Sequence, residues 1–107
     1  MIPKVSEVLD YTTTVLGDGA TYTGKHFETS LYSRIVGSVL ANRAGTLYVD
    51  QSSDGTNYDC VTTIPYTAAD TMGFDVAVVA PNARVRFTNA AGAASTTFRL
   101  YVRGRRN

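Results

Sequence analysis

The sequence predicts an all-β fold, an antiparallel two-sheet sandwich that is jelly-roll-like and has about eight strands. Three observations carry this. Thr, Tyr and Val are abundant while Lys and Glu are scarce, a balance that suits pleated, half-buried surfaces. Apolar and polar residues alternate with period two, and no stretch sustains the 3.6-residue period of a helix. Turn-forming residues recur at intervals of roughly eight to twelve residues, as short antiparallel strands require.

Taken in order, residues 1–25 read as an extended N-terminal arm, with a strand at Tyr11–Leu16 and one short helical turn at Ser6–Leu9. The apolar residues of the arm (Ile2, Val5, Val8, Leu9) are sparse, and Gly17-Asp-Gly19 interrupts any regular element. The sandwich domain is expected over residues 26–107. Its strands are His26–Tyr32, Arg34–Ala41, Thr46–Gln51, Tyr58–Thr63, Phe74–Val79, Arg84–Thr88 and Thr97–Arg103. Turns are expected at Asn42–Gly45, Ser53–Asn57, Ala80–Asn82 and Asn89–Gly92, where Gly, Asn, Asp and Pro cluster.

Two hairpins follow from these strands. In the first, Leu47 and Val49 face one way and Thr46, Tyr48 and Asp50 the other. Asp54-Gly55 in its loop supplies the positive-φ residue. The second would pair Arg84–Thr88 with Thr97–Arg103. Val85 and Phe87 would then share a face with Phe98, Leu100 and Val102, with Phe87 opposite Phe98 and Arg86 opposite Arg99, or Arg84 opposite Arg103 after a shift by two. Either register sets like charges against each other, which is destabilising. Acidic groups on an adjacent strand or another subunit must offset it.

The charge distribution says more than the net charge. The 107 residues carry +1 overall, yet residues 1–83 hold four Lys/Arg against nine Asp/Glu, while residues 84–107 hold six arginines and no acid. Asymmetry of this kind concerns partners rather than fold. Cys60 is the single cysteine and His26 the single histidine, so an intrachain disulfide and a Cys/His zinc site within one chain are excluded. No apolar signal core opens the chain and no run approaches a membrane span. The expectation is a protein made in a reducing cytoplasm, with no membrane partner.

Catalytic signatures are missing. His26 has no Ser or Cys motif beside it and reads as a solvated strand histidine, and Cys60 reads as a small core residue. No phosphate loop, HExxH or G-x-S-x-G occurs. The expectation is therefore no enzyme, no catalytic residue, no cofactor and no metal. Asp50, Ser52, Asp54 and Gly55 match four positions of a calcium loop, but Val61 stands where a bidentate glutamate belongs and the flanks are strands. A hairpin loop tied by local Asx-type hydrogen bonds explains the stretch better. Tyr48, Tyr58, Tyr66 and Tyr101 could form a glycan-binding surface, with Tyr48, Asp54, Asn57 and Tyr58 as a possible ligand loop.

Arginines interleaved with aromatics also suit nucleic acid. Near-neutral net charge, scarcity of Lys and the absence of RNP, KH or OB signatures speak against it. Protein docking is favoured, since the planar guanidinium makes bidentate bonds to carboxylates.

The runs Thr46-Leu-Tyr-Val-Asp-Gln-Ser-Ser-Asp-Gly-Thr-Asn-Tyr58, Val76-Ala-Val-Val-Ala-Pro81, Ala83-Arg-Val-Arg-Phe-Thr-Asn-Ala-Ala-Gly92 and Phe98-Arg-Leu-Tyr-Val102 together resemble a small β-sandwich of tailed-phage structural proteins. The resemblance spans about residues 26–103. It implies a capsid decoration (cement) subunit on the virion surface that bridges major capsid proteins. Copies of itself, in a homotrimer or other cyclic oligomer, would be further partners. The alternative is a tail or baseplate module, or one that binds a host-surface glycan. On this reading Arg84, Arg86, Arg99, Arg103, Arg105 and Arg106, with Ile2 and Val5 of the arm, form the protein interface.

Overall fold

The computed structural model describes residues 6–67, 71–90 and 94–106. It contains nine strands: β1 (Ser6–Thr12), β2 (Thr21–Thr23), β3 (Phe27–Glu28), β4 (Arg34–Ala41), β5 (Gly45–Ser52), β6 (Cys60–Tyr66), β7 (Met72–Ala77), β8 (Asn82–Asn89) and β9 (Phe98–Arg105). One sheet, here sheet A, runs β1-β9-β4-β7; the other, sheet B, runs β2-β8-β5-β6, with β3 also on β8. All pairings are antiparallel. The predicted two-sheet sandwich is thus the observed one.

The connectivity has a simple logic. β1 pairs with β9, β2 and β3 with β8, β4 with β7, and β5 with β6. These are the pairings of one long hairpin whose tip is the β5–β6 turn. Rolling that hairpin up brings β9 beside β4 and β8 beside β5, so its successive segments fall alternately in the two sheets. Both sheets then present their apolar rows inward. Ile35, Val39, Phe74, Phe98, Leu100 and Val102 from sheet A meet Phe27, Leu47, Val49, Val85 and Phe87 from sheet B in one core. Each such side chain contributes about 1.5–3 kcal/mol on burial.

Period two locates most strands. β4 occupies the predicted range, and the β5–β6 hairpin has the predicted facing, with Leu47 and Val49 fully buried. Gly55 takes the positive φ of 81° in its turn. Four expectations need correction. Ser6–Leu9 is strand rather than a helical turn, and the first strand ends at Thr12 instead of running to Leu16. A bulge between Val8 and Asp10 breaks the alternation that would have marked it. Only Phe27–Glu28 of the expected His26–Tyr32 strand is paired, and β2 was not anticipated. Cys60 is exposed, not in the core, because it lies at the end of edge strand β6.

The fourth correction matters most. β8 and β9 do not form a hairpin; they lie in different sheets. Residues 90–97 between them exceed the two to five residues of a usual hairpin loop, and that length suffices to cross the sandwich. The shared apolar face inferred for Phe87 and Phe98 exists, but across the core instead of along a ladder. Electrostatics favours this outcome. β8 has Asp50 of β5 opposite Arg84 and Tyr48 opposite Arg86, where β9 would have offered further arginines.

Candidate interaction surfaces

Separating β8 from β9 divides the arginines between the two outer faces of the sandwich. Outward positions on β8 carry Arg84 and Arg86, and those on β9 carry Arg99, Arg103 and Arg105. The two groups have opposite electrostatic situations.

On sheet B, Asp50 lies between the two arginines. Arg84 donates from Nε to Asp50 Oδ2 at 2.9 Å; Arg86 donates from Nε to the same oxygen at 2.5 Å and from Nη2 to Oδ1 at 3.0 Å. The carboxylate is 1% exposed, the two arginine side chains 33% and 27%. Each guanidinium also lies over a tyrosine ring: Arg84 Cζ is 4.1 Å from the centroid of Tyr58, and Arg86 Cζ 4.4 Å from that of Tyr48. Hydrogen bonding to Asp50 raises the Arg86 pKa further, against the opposing effect of burial. Aspartate is disfavoured inside strands, so an Asp at an outward position of β5 was itself a signal of a cationic neighbour.

The expected ligand loop turns out to be internally bonded. Asp54 Oδ1 accepts from the backbone N–H of Asn57 (2.7 Å) and Thr56 (2.9 Å) and from the Ser52 hydroxyl (3.0 Å), and Asn57 Nδ2 donates to Oδ2 (2.7 Å). The Asn57 N–H foremost, with Thr56 and the two side chains, holds the Asp54 carboxyl well below the ordinary carboxylate range. This is the Asx-type loop the sequence suggested. His26 adds a 2.8 Å bond to Asn82 Oδ1 and an edge-on contact with Tyr58. Tyr66 does not belong to a tyrosine surface: it is 3% exposed, and its hydroxyl donates to Ala41 O. Gly45 stands opposite it on β5, where a Cβ would run into the Phe87 ring and the Thr88 carbonyl oxygen.

Sheet A presents a different face. Arg99, Tyr101, Arg103 and Arg105 alternate outward along β9, opposite Leu40, Ser38, Val36 and Arg34 of β4. Arg34 pairs with Asp75 of β7. Arg99, Arg103 and Arg105 have no ion pair among the described residues. Tyr11 of β1 stacks on Tyr101, centroids 6.1 Å apart and planes 10° apart. Val8 (48% exposed) and Tyr11 (62%) extend the apolar area. An open groove on this face is lined by Val36, Ser38, Gly73, Asp75, Tyr101 and Arg103. Arg106, beyond β9, lies 5.9 Å from the Tyr32 ring. Ile2 and Val5, assigned to the interface from sequence, lie outside the described residues.

A family model described as the N-terminal domain of the uncharacterised protein YqxG matches residues 3–104. The chain belongs to this family. The match takes in β1 and β2, so this family's domain includes most of the segment read from sequence as an arm. No curated protein matches the chain. Among solved structures, the PBSX exported protein XepA is similar over 96% of this chain at 21% identity, with a TM-score of 0.78. That likeness is one of fold. The region matched is 37% of the XepA chain, so this family member spans well under half the length of that relative.

Proposed function

We propose that this domain is a structural docking module of a phage particle, and that it binds its partner through the outer face of sheet A. The observation that carries the proposal is the β9 row: three arginines with no ion pair among the described residues, interleaved with Tyr101 and bordered by exposed Val8 and Tyr11. Arginine and tyrosine beside apolar side chains are what protein interfaces concentrate. The absence of carboxylates from the row means that an acidic partner surface would complete it. Support for the phage setting comes from the fold shared with XepA of PBSX, a phage-related protein, and from the motifs that resemble phage sandwiches.

In its finer form, the domain is a decoration subunit that bridges major capsid proteins, with many weak contacts adding through avidity. It contributes binding and no catalytic step. A tail or baseplate placement is the second reading, favoured by the occurrence of this fold as one part of a longer chain in XepA. Mixing the purified protein with undecorated heads and, separately, with tails, then pelleting the particles, tests both. Binding to heads that is lost in Arg99→Glu/Arg103→Glu supports the decoration role; binding to tails alone transfers the domain to the tail. Binding to neither overturns the proposal.

A further inference from the structure

We propose that Arg84 and Arg86 form a preorganised receptor for a phosphate group on the outer face of sheet B. This site is on the opposite face from the docking surface above and does not depend on it.

Three features of the pair exceed what a structural salt bridge needs. The first is charge. One carboxylate serves two guanidiniums, so the cluster retains one positive charge, and neither arginine has another ion pair among the described residues. Glu28, the acid of β3, stands opposite Asn82 and makes no ion pair with Arg84. The second is unused donor capacity. A guanidinium carries five N–H donors. Arg84 spends only its Nε, and Arg86 its Nε and Nη2, which leaves both Nη nitrogens of Arg84 and Nη1 of Arg86. The third is rigidity. Both Nε groups meet the same oxygen of a buried carboxylate, and each guanidinium is stacked on a tyrosine ring. Two flexible side chains are thereby held close together before any ligand arrives, which removes much of the ordering cost of binding.

The ligand class follows from geometry. A carboxylate has two coplanar oxygens that one guanidinium fork matches, and Arg84 reaches Asp50 only by sharing an oxygen that Arg86 already uses. Two converging guanidiniums suit an anion whose oxygens spread in three dimensions, and arginine recognises phosphate in this bidentate manner. The tyrosines are then not free sugar platforms. Tyr48 and Tyr58 each give a ring face to an arginine, so their part is to position the cations.

The test is titration of the intact chain with inorganic phosphate at constant ionic strength, followed by the arginine Nε–H resonances. The expected result is saturable movement of Arg84 and Arg86, with Arg99, Arg103 and Arg105 following only general screening. Uniform, non-saturating movement of all the arginines would overturn the site. Arg84→Gln leaves the Asp50–Arg86 fork in place and should weaken phosphate binding about tenfold, the effect of one charge-assisted contact. Undiminished binding in that variant, or acetate binding as tightly as phosphate, would also refute the assignment. A glycerol-phosphate diester oligomer separates the sources. Tighter binding of the oligomer than of inorganic phosphate identifies a polymeric phosphate, and the reverse identifies the free ion.

Discussion

The rings of Phe87 and Phe98 meet with centroids 5.0 Å apart and planes inclined at 42°, one ring from each sheet. Both are almost wholly buried, at 1% and 2% exposure, and Tyr66 meets Phe87 from the side at 5.9 Å. This contact joins β8 to β9 through the core. Phe87→Ala or Phe98→Ala should each cost about 3–5 kcal/mol in urea denaturation, through lost burial and a cavity that the two sheets cannot close. In a double-mutant cycle the pair should couple by about 0.5–1.5 kcal/mol beyond area. Additive losses would show that the rings share the core without interacting.

The same pair shows where sequence reading succeeds and stops. Strand parity correctly puts Val85, Phe87, Phe98, Leu100 and Val102 in one core, because side-chain direction is a local property of extended backbone. Parity cannot distinguish strands side by side from strands face to face, since both arrangements bring the same rows together. The deciding information was non-local. Asp50 lies more than thirty residues from Arg84 and Arg86 in sequence, yet it draws β8 to β5. β1 escaped notice for another reason: the bulge before Asp10 shifts the alternation midway. The arginines of β9 were legible as a charged row. Their separation from Arg84 and Arg86 onto the opposite face was not.

Asp50 is expected to be a site where a small change is costly. Asp50→Ala would leave Arg84 and Arg86 facing each other over a buried gap. Removing one partner of a buried pair costs about 3–5 kcal/mol, but both arginines reach solvent, so about 1–3 kcal/mol is expected here. The loss should shrink as salt screens the two cations. Asp50→Asn keeps an acceptor oxygen and should cost less than Asp50→Ala. A loss independent of salt would indicate packing, not charge, as the role of Asp50.

Acid and alkali should act through different residues. The Asp54 carboxyl is held below its unfolded value of about 3.9 by the loop N–H groups. Its contribution is present above that value and is lost as pH falls through the lower folded value. Asp54→Asn should therefore flatten the acid limb of a stability–pH curve. Tyr22 behaves in the reverse sense. Burial, then its 2.7 Å hydrogen bond to Asp10, raises its pKa well above the ordinary phenol value. Its neutral form is favoured in the fold, so stability is full below about pH 10 and declines as pH rises beyond it. Tyr22→Phe should remove that part of the alkaline decline. Spectrophotometric titration of Tyr22 at its ordinary pKa would contradict the assignment.

Gly37 sits where β4 is squeezed between β9 and the Phe74 ring. A Cβ at this position would lie 2.6 Å from Phe74 Cζ and press on the carbonyl oxygen of Tyr101. The ring could turn aside, but the carbonyl belongs to the β9 backbone and cannot move without disturbing the β4–β9 ladder. Gly37→Ala should therefore lose about 1–3 kcal/mol by overpacking, despite the restriction it places on the unfolded chain. Gly73 provides the control on the neighbouring strand. A Cβ there meets only the Gly37 carbonyl at 3.7 Å, an ordinary contact, so Gly73→Ala should be neutral or slightly stabilising. Adding Phe74→Leu to Gly37→Ala frees the ring side but leaves the carbonyl, so rescue should be partial. Full rescue would show that Phe74 alone sets the requirement for glycine, and no rescue would place it wholly in the backbone of β9.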